Sequence, residues 1–387
     1  MNTPHEAARL PRFAPPAHAS AGTPKKRTRD LGIVIGTLEP GEHDTITDVP
    51  GVRVGHTTVI EGDDVRTGVT VVVPHEGNVW ADPVYAAYHR LNGNGEMTGL
   101  PWIEEVGLLH SPIGITNTHS VGVVRDALVE IEVAEIGEDA EAWALPVVAE
   151  TWDGTLNDVD GFHVTAEHAK AAYASASAGP VAEGSVGGGT GMVCHDFKGG
   201  IGTASRTAGA YTVGVLVQAN HGRRERFLVN GGPVGLEVGE DVVPGTDSPL
   251  PPGSGSIIGI VATDAPLLPL QCRRLAQRAS FGVARTGGVG ENNSGDLFLA
   301  FATGNHGMHR VGDDAPDVAE VRTLANNAMN PLFDAVIEAV EEAILNAILA
   351  SPTMTGHGHT AHTLPADLLL AALEKYGRPA TPPITGR

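Results

Sequence analysis

The chain has 387 residues, 41% of them hydrophobic and only 4% aromatic, with 50 glycines and a formal net charge of -21. That acidic balance excludes nucleic acid and anionic membrane as partners, because both are held through basic surfaces. Two cysteines, Cys194 and Cys272, exclude a disulfide framework and any CxxC motif, and no apolar run is long enough to span a bilayer.

Residues 1–30 carry Arg9, Arg12, Lys25, Lys26, Arg27 and Arg29 among prolines and alanines, and read as a flexible basic tail with no signal-peptide core. Residues 31–387 read as one domain with buried free thiols, in keeping with a cytoplasmic setting. Thr45–Ile60 alternates around Pro50-Gly51 and predicts a hairpin; 68–74 predicts a strand. Residues 85–91 read as a short helix running into the Gly/Asn-rich loop 92–99. A strand at 112–117, an amphipathic helix at 119–134, a strand at 145–150 and an Ala-rich helix at 165–177 follow.

The run Gly184–Gly191 (GSVGGGTG) invites a nucleotide reading, but no Gly precedes a Lys and no cluster fits GxGxxG, so close backbone packing is expected there. No Ser sits in GxSxG. A buried strand is predicted at 211–220, then an exposed proline-rich loop at 238–255. Beyond it come a strand at 257–263, a helix at 268–285, a loop at 286–294 and a strand at 296–303. Asn330-Pro331 opens a helix with Asn as its cap, and 364–376 is the last helix.

Where the proline-rich loop meets the strand at 257, Gly255-Ser256 places a hydroxyl at the last polar position before an apolar β-branched run. Two readings stand here: a linker ending at a strand, or a self-cleaving Gly-Ser bond that leaves Ser256 as an N-terminal nucleophile. The loop Asn292–Asp296 sets Ser294 and Asp296 two residues apart at a strand start. They form either a proton-passing pair or a turn that satisfies its own backbone. Asn220, at the end of its strand, is either an oxyanion donor or a turn residue. His357, His359 and His362 lie in a Gly/Thr-rich stretch with no acidic partner nearby, and no metal site is expected there.

The runs 92–99 (NGNGEMTG), 116–124 (TNTHSVGVV), 147–157 (VVAETWDGTLN) and 184–192 (GSVGGGTGM) resemble the DmpA/BapA-type self-processing aminopeptidases. So do 198–206 (KGGIGTASR), 213–223 (VGVLVQANHGR), 255–266 (GSIIGIVATDAP) and 292–298 (NNSGDLF). The match is colinear over about residues 30 to 350. It implies an α/β fold, a four-layer αββα sandwich, cut between Gly255 and Ser256 into 31–255 and 256–387, with the pairs assembled as a tetramer. It also implies Ser256 as nucleophile, Ser294 and Asp296 as its partners, Asn220 in the oxyanion hole and Glu150 on the substrate's amino group. No cofactor or metal is implied. Trp152 stands where the family often has a Tyr whose hydroxyl polarises the carbonyl; an indole N–H is the replacement donor. Short peptides, amides or esters are the implied substrates. Two rivals are an acyltransferase resembling the ornithine acetyltransferases, and an unprocessed binder of small molecules.

Overall fold

The computed structural model describes residues 26–136, 143–248, 254–307 and 318–381. In chain order the first elements are β1 (Arg53–Glu61), β2 (Val65–Val73), β3 (Val84–Arg90), α1 (Leu100–Val106), β4 (Leu108–Leu109), β5 (Ile113–Asn117), α2 (Val121–Ile136), β6 (Val147–Thr151) and α3 (Ala166–Ala174). Next come β7 (Val193–Cys194), β8 (Phe197–Lys198), β9 (Gly200–Ala208), β10 (Tyr211–Asn220), α4 (Val234–Glu237) and β11 (Ser256–Thr263). The last are α5 (Pro269–Arg285), β12 (Leu297–Ala302), α6 (Asn330–Leu349), β13 (Met354–Gly356), β14 (His359–Ala361) and α7 (Ala366–Lys375).

Two sheets carry the fold, one ordered β1-β2-β5-β6 and one ordered β4-β3-β12-β11-β10-β9. Strand alternation sorts their side chains into layers. In β2, Val69, Val71 and Val73 pack with Val121, Val124 and Leu128 of α2 and Ala169 and Ala172 of α3. Val72 points the other way, into a core shared by both sheets. In β11, Ile258, Ile260 and Ala262 join that same inter-sheet core. Ile257 and Val261 face α5 and α6, among Leu275, Val340 and Ile344. Helices, sheet, sheet and helices thus form a four-layer αββα sandwich. Strands buried on both faces read as near-continuous apolar runs, which is why β2, β10 and β11 stand out in the sequence.

Four expectations need correction. Residues 45–60 are not a hairpin: Thr45 precedes a 3₁₀ turn at Ile46–Asp48, Gly51 turns the chain with φ +87°, and β1 pairs with β2 instead. Residues 85–91 are strand, not helix, because β3 pairs antiparallel with β12 over Leu297↔Arg90 to Ala302↔Tyr85 and buries Val84 and Ala86 between the sheets. Tertiary pairing overrides the helical propensity of the two alanines. Asn330 is the first residue of α6 rather than its cap, which is Met329. The basic tail ends before residue 30, since Thr28 is fully buried with its N–H donating to Asn346 Oδ1 at 3.0 Å. Residues 1–25 of the expected tail, with Arg9, Arg12 and Lys25, lie outside the described residues, as do 249–253 of the proline-rich loop.

The glycine run is packed closely, as expected. A Cβ on Gly188 would meet Gln218 Oε1 at 2.3 Å and the Ile115 carbonyl oxygen at 2.6 Å. Both cysteines are buried and free. His357 lies beside Asp64, Nδ1 to Oδ1 at 3.5 Å, at the turn between β13 and β14. No helix of the described residues is long and apolar enough to cross a membrane.

Candidate active site

β10 and β11 run antiparallel with Asn220 directly opposite Ser256. Directly opposed residues project to the same face with Cβ atoms about 5 Å apart, so these two side chains are neighbours. Ser256 has the parity of Ile258 and Ile260 and lies at the rim of the inter-sheet core, 4% exposed. Its Oγ accepts a hydrogen bond from the Gly295 N–H at 3.0 Å. β12 runs parallel to β11, which brings the loop before it alongside the start of β11; Gly255 and Ser294 form a bridge there.

On that loop the Ser294 hydroxyl donates to Asp296 Oδ1 at 2.5 Å, and the same oxygen accepts from the Ile257 N–H at 3.2 Å. Asn92, in the loop after β3, donates from Nδ2 to Asp296 Oδ2 at 2.9 Å. Its Oδ1 accepts from the Asp296 N–H at 2.6 Å. Ser294 and Asp296 are therefore a side-chain pair, not a turn satisfying only its own backbone. Burial pushes the Asp296 carboxyl up, against the pull of the bonds from Ser294, Asn92 and Ile257.

The Asn220 amide is held at both ends. Its Oδ1 accepts from the Val193 N–H at 2.8 Å and its Nδ2 donates to the Trp152 carbonyl at 2.9 Å. An amide nitrogen carries two donors, so one N–H remains beyond the contact to Trp152. Trp152 thus meets Asn220 through its carbonyl rather than its indole. The indole lies over Gly154, where a Cβ would come within 2.3 Å of the ring. Together with Asn220, Arg223, Ser254 and Gly255 it lines a cavity of about 470 Å³.

Gly255 holds φ +136°, in the region that favours glycine, and a Cβ there would sit 2.1 Å from the Asn220 carbonyl oxygen. The backbone on the amino side of Ser256 is therefore pressed against the Asn220 strand end. Glu150 is buried near the end of β6. Its Oε1 accepts from the Glu96 N–H at 3.0 Å, and the Thr118 hydroxyl donates to Oε2. Burial raises its pKa, with the two hydrogen bonds opposing. A Cβ on Gly95 would lie 2.9 Å from Gly295 Cα and 3.2 Å from Glu150 Oε1, so Glu150 borders the Ser294–Asp296 loop.

All six side chains singled out in the sequence converge around Gly255-Ser256. Sequence reading missed Asn92, Thr118 and the Gly295 N–H. Asn92 and Thr118 lie in two of the quoted motifs, which is the signal that could have found them; a backbone donor leaves none.

The family model described as Peptidase family S58 matches residues 44–361. A beta-peptidyl aminopeptidase BapA of Sphingosinicella microcystinivorans is 48% identical over 382 residues, covering 93% of this chain and 94% of the relative. Among solved structures, a Burkholderia sp. beta-aminopeptidase superposes with a TM-score of 0.85 at 53% identity, covering 91% of this chain and 99% of that one. The L-aminopeptidase D-Ala-esterase/amidase of Ochrobactrum anthropi, a variant of the Ntn hydrolase fold, superposes with a TM-score of 0.84 at 41% identity, with the same coverages.

Proposed function

This chain belongs to peptidase family S58, and from that premise we propose that it is a serine aminopeptidase that cuts its own Gly255-Ser256 bond and then uses Ser256 as an N-terminal nucleophile. The observation that carries the reading is the register of Asn220 against Ser256 with Ser294 and Asp296 beside it.

In self-cleavage the Ser256 Oγ attacks the Gly255 carbonyl carbon. The C–N bond breaks as the C–O bond forms, and the hydroxyl proton passes to the departing amine. Water then opens the ester, leaving a Gly255 carboxylate and a free Ser256. Gly255 holds a φ of +136° that glycine adopts without strain and that an L residue could not share, since a Cβ would meet the Asn220 carbonyl oxygen. The freed α-amine, with a reference pKa of about 7.7–8.0, becomes the base that draws the proton from Ser256 Oγ. Asp296 and Ser294 hold that end of β11 through the Ile257 N–H and orient the amine.

A substrate carbonyl attacked by Ser256 develops an oxyanion within reach of the spare Asn220 N–H, a donor worth about 3–4 kcal/mol in the transition state. The leaving amine takes the proton back, and water hydrolyses the acyl-enzyme. Glu150, ionised, pairs with the substrate ammonium and restricts attack to the first residue of a peptide. The names of the relatives favour β-amino N-termini, and the substrates proposed are short peptides, amides or esters. A tetramer of αβ pairs in the cytoplasm completes the proposal.

Denaturing electrophoresis tests it. Wild type gives two bands, and the smaller begins at Ser256 on N-terminal sequencing; Ser256→Ala gives one band and no peptide hydrolysis. A wild-type chain that stays intact while hydrolysing peptides would sink the self-processing mechanism. Transfer of the acyl group to an added amine in preference to water would instead favour an acyltransferase.

A further inference from the structure

Behind the Asn220 strand end lies a second cluster that the aminopeptidase chemistry does not use. Cys194 ends β7, His195 follows it with φ +48°, and His221 follows Asn220. All three are buried, and one ligand atom from each lies within 4.8 Å of the others. Cys194 Sγ is 3.7 Å from His221 Nδ1. That is close to the S···N edge of about 3.6 Å expected when a thiolate and an imidazole share one metal ion. His195 Nδ1 is 3.2 Å from the Arg223 carbonyl oxygen. Donating a proton there leaves the lone pair of the ring on Nε2, the usual outer-sphere arrangement of a metal-bound histidine.

A second observation points to a ligand. Among the described residues, the Nε2 atom of His195 has no hydrogen-bond partner although the ring is fully buried. Buried polar atoms are nearly always satisfied, so this orphan, on the nitrogen left with the lone pair, calls for an unseen partner. Gly222, at φ +87°, lets the His195 ring lie flat against the backbone, where a Cβ would sit 2.3 Å from its Cε1.

We propose that Cys194, His195 and His221 bind one thiophilic d10 cation, Zn²⁺ or Cu⁺. Two imidazoles and one thiolate in a dry interior suit a three-coordinate soft ion, or Zn²⁺ with one small exogenous ligand. The ion ties the β7 end to the β10 end. The Val193 N–H that holds Asn220 Oδ1 lies one residue before Cys194, so the site braces the amide without touching substrate.

The test uses the full chain, expressed in minimal medium supplemented with zinc or, separately, with copper. The protein is desalted through a weak chelator and its metal counted by mass spectrometry. About one equivalent of one of the two ions is expected, reduced about tenfold in Cys194→Ser; the ion retained tells zinc from copper. X-ray absorption at the edge of that ion should show one sulfur and two nitrogen neighbours, a readout on wild type that holds even if the variant fails to fold. Folded wild type retaining less than about a tenth of an equivalent of either ion overturns the proposal. So does a bound ion with no sulfur neighbour.

Discussion

Arg206 and Ser256 both lie on the six-stranded sheet, and each is the centre of a buried polar cluster. Arg206, fully buried on β9, pairs with Glu342 and, at 3.2 Å, with Glu338 of α6, and donates to the carbonyls of Ile35 at 2.9 Å and Ser205 at 2.7 Å. Around it Arg27 pairs with Glu183 at 2.8 Å, and Arg29 with Glu342 at 2.9 Å and Asp44 at 3.3 Å. Charge meets charge within the chain, and the N-terminal segment is stitched to α6. At Ser256 the groups are hydroxyls, amides and the two carboxylates of Asp296 and Glu150, and they keep capacity in reserve: a nucleophilic oxygen holding one backbone N–H and an Asn220 amide with one donor unspent. A polar cluster that spends its bonds internally serves the fold. One that withholds them at the rim of a 470 Å³ cavity is ready for a substrate.

The sharpest way to break that distinction is to remove Arg206. Arg206→Met leaves Glu338 buried without its ion-pair partner and Glu342 with Arg29 alone, and loss of one member of a buried ion pair costs about 3–5 kcal/mol. Denaturant unfolding should show that loss, while kcat/KM of the folded fraction stays within about twofold of wild type. An activity loss matching the stability loss would mean that the two clusters are coupled. Asn220→Ala should do the reverse. The rate should fall about 10²–10³-fold, with a smaller stability cost of about 1–3 kcal/mol from the stranded Val193 N–H and Trp152 carbonyl. Unfolding curves and peptide-hydrolysis rates on the same preparations settle both.

The two clusters also differ in how far the sequence disclosed them. Ser256, Asn220, Ser294 and Asp296 stand at strand ends beside glycines, where an apolar run stops on a polar residue, and they fall inside long motifs. The ion network leaves no such mark: Arg27 reads as part of a basic tail and Arg206 as a polar residue in a strand, because their partners lie far along the chain, Glu183 for Arg27 and Glu338 and Glu342 of α6 for Arg206. Cys194 and His221 hide in the same way, brought together only when β7 reaches the end of β10. The fold was legible where strands are buried on both faces, as in β10 and β11. It was misread at β3, whose identity depends on pairing with β12. Asn92 was quoted within a motif yet had no role, since its partner Asp296 is reached only through that pairing.

Acidity offers the finest separation of the two regions, because raised carboxylates act on different readouts in each. In the ion network burial lifts Asp44 and Glu183 to about 7. The folded state then holds protons that the unfolded chain, with carboxyl pKa values of about 4, has already released. Their contribution to stability is therefore full below about pH 4 and is lost as pH rises towards 7. At the catalytic rim Glu150 and Asp296 are raised as well, but each works as an anion, and the Ser256 amine works as a free base. Activity therefore climbs over the range in which the network loosens. The pH of greatest thermal stability should lie below the pH of greatest kcat/KM. Asp44→Asn should flatten the decline in Tm between about pH 4 and 7, a change of about a few degrees, and leave the rate profile in place. Glu150→Gln should remove the acid limb belonging to substrate binding and raise KM. If Asp44→Asn moved the rate profile instead, the ion network would have to be counted as part of the active site.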